Sequence, residues 1–105
     1  MNTPDYLSTA SKAWWTSVTE EYDLEPHHVK LLEMACVAWD RCENARQVIS
    51  ADGATFIDRY GQPKARPEVA IERDSRIAFT RLLRELDLDF QGSERPPALL
   101  SNRRL

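Results

Sequence analysis

A chain of 105 residues, 42% apolar and 30% charged, has room for one domain with one core, and no apolar run approaches the length that spans a bilayer. The net charge of −3 excludes a uniformly basic surface, but the charge is uneven: residues 1–62 hold five Lys/Arg against ten Asp/Glu, and residues 63–105 hold nine against seven. The opening stretch, Met1-Asn-Thr-Pro-Asp-Tyr6, lacks the basic and apolar regions of a signal peptide, so a cytoplasmic location with no membrane partner is expected.

Residues 1–7 read as a loose arm. Ser8 or Thr9 can cap a first helix running through Ala10, Ala13, Trp14, Val18 and Tyr22, and Asp23-Leu24-Glu25-Pro26 breaks it. Pro26 then opens a second helix reaching about Ala51. Along it Leu31, Ala35, Ala38, Cys42, Ala45 and Ile49 fall on one line, a seam of mostly small residues that lets a partner helix come close. Leu32 and Trp39 lie to one side of the seam and Met34 and Val48 to the other, with Glu33, Asp40, Asn44 and Gln47 opposite.

The stretch Ile49–Pro67 holds two of the three glycines and two of the six prolines. Gly53 can close the second helix with a positive φ, Gly61 can serve a turn, and Pro67 suits the first position of a third helix. Between the glycines the run Thr55-Phe56-Ile57 predicts a small hairpin turning near Asp58-Arg59-Tyr60-Gly61. The third helix, Pro67 to about Leu88, carries Ile71, Ser75, Ala78, Leu82 and Leu86 on one line, which complements the seam of the second. Arg73, Arg76 and Arg84 lie opposite that line, with Phe79 and Leu83 between. The expected architecture is all-α: an antiparallel helical hairpin with a small β-hairpin-like insert at 53–66 and an N-terminal helix packed across it. The core domain covers 1–90, and residues 91–105 read as a flexible tail.

Chemistry-bearing groups are sparse. No nucleophile with a base, no paired carboxylates in apolar surroundings and no glycine-rich phosphate loop is present, so neither an enzyme nor a cofactor is expected. His27, His28, Cys36 and Cys42 are all possible metal ligands, but His28 and Cys36 stand about 12 Å apart along one helix, so exposed histidines and buried thiols are expected instead of a metal site. Trp14, Trp15 and Trp39 are a heavy aromatic load for three helices. At least two of them are expected in the core, with Trp39 stacked on the first helix; the competing role is a subunit contact, and Trp39 with Phe79 and Leu83 is the candidate oligomer interface. Arg59, Lys64, Arg66, Arg73, Arg76 and Arg84 are the candidate DNA contacts; the alternative is a solvated helix face paired with residues such as Glu72 and Asp87.

The order of features resembles the small subunit of tailed-phage terminases. The matching residues are Ala13-Trp14-Trp15, then Leu24-Glu25-Pro26, Leu31-Leu32 and Cys36-Val-Ala-Trp39-Asp40. They continue with Ile49 and Gly53, then Gly61, Lys64 and Pro67, and close on Leu86-Asp-Leu88. The resemblance covers roughly residues 7–90; it departs where many members have a histidine before the proline and this chain has Arg66. It implies a subunit that recognises double-stranded viral DNA, assembles into a homo-oligomeric ring and loads the packaging motor, with the ATPase and nuclease in a separate large terminase subunit. The rival expectation, supported by the acidic upstream half, is a helical protein–protein adaptor or regulator from a phage or mobile element, without DNA binding.

Overall fold

The computed structural model describes residues 2–87. Three helices, α1 (Thr9–Glu21), α2 (Pro26–Asp52) and α3 (Pro67–Leu86), and two strands, β1 (Thr55–Ile57) and β2 (Pro63–Ala65), make up the chain in that order. The α2–α3 pair forms the antiparallel hairpin, α1 lies against its side, and the strands form the small insert at one end. The tail expected at 91–105 lies outside the described residues, as does Leu88.

Local grammar sets the boundaries. Ser8 caps α1, its hydroxyl accepting from the Ser11 N–H at 3.1 Å. Pro26 takes the first position of α2, where a missing N–H costs nothing, while Glu25 and His28 close a reciprocal capping box. Gly53 ends α2 at φ 90°, and its N–H donates to the Ile49 carbonyl. Pro67 opens α3. That helix stops at Leu86, not Leu88, because Asp87 turns left-handed at φ 53°, ψ 45°, a conformation that aspartate tolerates better than most residues.

The seam of small residues faces α3 as expected: Ala35, Ala38, Cys42 and Ala45 are buried, as is Ser75 across from them. Cys42 Sγ lies 3.8 Å from the Glu72 carbonyl oxygen, which fixes the register of the two helices. Ala35 is wholly buried on this seam, so a leucine there has no room. Ala35→Leu should lower stability by about 1–3 kcal/mol, read as a fall in Tm.

Two expectations about α1 and the outer face of α2 need correction. The buried stripe of α1 is Ser11, Trp15 and Val18; Ala10 and Ala13 face solvent. Asp40, placed with the solvated residues, is half-buried and holds α1: its carboxylate accepts from the Ser8 N–H at 2.8 Å, the Ser8 hydroxyl at 2.6 Å and the Ser11 hydroxyl at 2.7 Å. Ser11 belongs inside because its hydroxyl is satisfied there, bonding Asp40 and the Cys36 carbonyl. The core then gathers Leu7, Trp15, Val18, Leu32, Cys36 and Leu86.

Candidate nucleic-acid interface

The insert is a two-stranded antiparallel ribbon pairing Thr55 with Ala65, Phe56 with Lys64 and Ile57 with Pro63. Its turn is built by Asp58, whose carboxylate oxygen accepts the N–H groups of Tyr60 at 2.8 Å and Gln62 at 2.9 Å, while Gly61 supplies φ 79°. All six strand residues are exposed, and Ile57 and Tyr60 at the turn stand 65% and 73% exposed. Nothing in the core requires these side chains to be apolar.

The six candidate cations divide by what already engages them. Arg59 stacks over the Tyr60 ring, 5.1 Å from its centroid, and Lys64 Nζ reaches the Asp58 carboxylate at 4.0 Å. Arg66 is half-buried at the neck of the ribbon: one Nη donates to the Asp52 carbonyl at 3.1 Å and the guanidinium sits 5.9 Å from the Phe56 centroid. Arg76 grips Glu72 with two nitrogens, Nε at 3.0 Å and Nη2 at 3.4 Å, and this hydrogen bonding holds the Glu72 carboxyl below the usual range. Arg73 donates to Asp74 at 3.1 Å. Arg84, in the last turn of α3, has no carboxylate within 4.0 Å among the described residues.

Ribbon and helix therefore bring Arg59, Lys64 and Arg66 together at one end of the hairpin. Arg73 and Arg76 follow along α3, whereas Arg84 lies at its far end. The Arg73–Asp74 pair is exposed, and such pairs are each worth about 0–1 kcal/mol, so a phosphate can displace that carboxylate at little cost, whereas Glu72 is only 20% exposed and also lies 4.0 Å from Arg46.

Other chemistry is muted. Burial and the nearby Asp40 and Glu33 charges push the Cys36 thiol up to about 12, and burial raises Cys42 as well, so neither is a thiolate at neutral pH. Both are free buried cysteines, as expected. His28 is used in the capping box, with the His27 ring 4.2 Å away. Among the described residues no three His, Cys, Asp or Glu side chains gather as metal ligands, and no helix is long and apolar enough to cross a membrane.

A family model described as the phage terminase small subunit matches residues 11–96, a span that takes in nearly all of α1, the whole hairpin and the insert. The chain belongs to the phage terminase small-subunit family. No curated protein and no solved structure matches it.

In this small-terminase chain the candidate oligomer residues are only partly free. Trp39 and Trp14 pack against Phe79 from two sides, with ring centroids at 5.2 and 5.9 Å, so the three helices share an aromatic cluster. Trp39 keeps 36% and Leu83 37% of their surface exposed. A second apolar surface escaped the reading of the sequence. On the other side of the hairpin, Met34, Val37 and Ala38 of α2 and Ile71, Ala78 and Leu82 of α3 line an open groove of about 640 Å³. Ile71, Ala78 and Leu82 were legible as the α3 line and Met34 as lying off the α2 seam, but not that they border one groove.

Proposed function

We propose that the chain is the non-catalytic, DNA-recognising and motor-assembling subunit of a phage packaging machine, acting in the host cytoplasm with a separate large subunit that carries the ATPase and nuclease. The observation that carries this reading is the family match over residues 11–96. The ribbon supports it: residues 53–66 hold three cations and one carboxylate in a chain whose net charge is −3. A two-stranded ribbon also fits the width of the duplex major groove. Arg59, Lys64, Arg66, Arg73, Arg76 and Arg84 are the proposed contacts, with the exposed Arg73–Asp74 pair exchanging carboxylate for phosphate. Trp39, Phe79 and Leu83 are proposed to take part in joining subunits into a homo-oligomeric ring, which repeats a weak basic patch in every copy and raises affinity by multivalency.

A salt titration of duplex DNA binding tests it. Each lost phosphate contact flattens the slope of log affinity against log salt by about 0.9, so Arg73→Ala/Arg76→Ala should flatten it by about 1.8. A wild type that binds no duplex at low salt would replace this reading with the adaptor, which the acidic residues 1–62 favour. A double variant with an unchanged slope would remove Arg73 and Arg76 from the contact set.

A further inference from the structure

The register of the ribbon sorts its side chains by charge. Cross-strand partners share a face and neighbours along a strand alternate, so Thr55, Ala65, Ile57 and Pro63 point one way and Phe56 and Lys64 the other. Contacts extend the second face past the strand ends: Lys64 reaches the Asp58 carboxylate, and the Arg66 guanidinium stands 5.9 Å from the Phe56 ring centroid. The charges nearest the strands, Asp58, Lys64 and Arg66, are therefore all on one side. The other side carries no charge, and its one polar side-chain atom is the Thr55 hydroxyl. It is nonetheless exposed at all four positions, Ile57 most prominently.

The chemistry of a duplex major groove decides which of these sides faces the bases. The Asp58 carboxylate is tied into the turn by the Tyr60 and Gln62 N–H groups. With the charged side down, it would be pressed onto a groove floor rich in acceptors, the purine N7 atoms, guanine O6 and thymine O4. With the uncharged side down that repulsion vanishes. The short side chains of Thr55, Pro63 and Ala65 then let the backbone approach the base edges, and the long stems of Lys64 and Arg66 turn outward to phosphates at the groove rim. Among the groups that the four bases show in the major groove, the apolar one is the C5 methyl of thymine. A G·C pair would instead leave its amino and carbonyl groups against side chains that offer no hydrogen bond, which costs affinity. Thr55 and Ile57, as alternate residues of one strand, stand about 7 Å apart, close to two base-pair rises.

We infer that the uncharged face of the ribbon, with Ile57 as its largest side chain, reads thymine C5 methyl groups in the major groove, so that the subunit selects A·T-rich duplex by apolar contact. The inference rests on the DNA binding of the functional reading, and it assigns base discrimination to residues outside the six cations. The two faces divide the work: the side of Lys64 and Arg66 holds phosphate and sets the salt dependence, and the side of Ile57 sets which bases are preferred.

The test measures binding of the full chain, at low salt, to an alternating A·T duplex and to the same duplex with deoxyuridine in place of thymidine, which lacks only the methyl groups. The wild type should bind the thymine duplex more tightly, by roughly fourfold for each methyl it covers. Ile57→Ser, checked for folding by circular dichroism, should bind the two duplexes almost alike. It should keep the wild-type slope of log affinity against log salt, because no phosphate contact is lost. Ile57→Val should retain most of the preference. Equal binding of the two duplexes by the wild type overturns the methyl reading and leaves DNA binding in place. A preference that survives unchanged in Ile57→Ser comes from the shape of the duplex and overturns it as well. A wild type that binds neither duplex at low salt overturns the functional reading together with this one.

Discussion

Leu32→Ala will destabilise the fold by about 2–5 kcal/mol, the largest effect expected from any single truncation on α2. Leu32 is wholly buried and sits in the cluster where α1 contributes Trp15 and Val18, the arm contributes Leu7 and the end of α3 contributes Leu86. Removing three carbons there opens a cavity bordered by all three helices, which cannot collapse without moving one of them. Urea unfolding should show the loss as a lower midpoint with the slope unchanged. The control is Ile57→Ala on the ribbon. That side chain is 65% exposed and should shift stability by no more than about 0.5 kcal/mol.

Asp40→Ala should cost about 2–4 kcal/mol, through a different mechanism. Three donors from Ser8 and Ser11 converge on this carboxylate, and one of them, the Ser8 hydroxyl, also caps the start of α1 by accepting the Ser11 N–H. Burial pushes the Asp40 carboxyl up, but the Ser11 hydroxyl, the Ser8 hydroxyl and the Ser8 N–H together hold it below its ordinary 3.8. A lowered folded value means that the carboxylate contributes stability above the unfolded value and loses it as pH falls through the folded one. Between about pH 5 and pH 2 the wild type should therefore lose more stability than Asp40→Ala, and the two unfolding curves should converge in acid. Curves that stay parallel would mean that the network carries little of the docking of α1.

The chain divides cleanly into what local chemistry announces and what it does not. Pro26, Gly53, Gly61 and Pro67 each act within a few residues of themselves, so the bounds of α2, the ribbon turn and the start of α3 could be read without a structure. The seam was legible because small residues at helical spacing have few other uses. The docking of α1 was not, because Asp40 looks like any solvated carboxylate until Ser8 and Ser11, some thirty positions away, are brought to it. The basic residues were legible as a list but not by engagement. Pairing of Arg76 with Glu72 and the bond from Arg66 to the Asp52 carbonyl depend on side-chain rotamers that spacing alone leaves open. The groove was hidden for a related reason: its α3 wall is the seam line itself, Ile71, Ala78 and Leu82, and only the register fixed at Cys42 and Glu72 sets these beside Met34 and Val37 of α2.

Arg66 bridges from the foot of β2 back to the last residue of α2, and the Arg66 N–H also donates to the Ala54 carbonyl at 2.9 Å. The two feet of the ribbon are thus fastened to each other, while the strands above them give no side chain to the core. Residues of the neck are constrained by the helices they join, whereas residues of the ribbon can drift, lengthen or change charge without unfolding the subunit. The ribbon is thus a part whose surface can be rewritten one substitution at a time while the folding of the helices stays as it is.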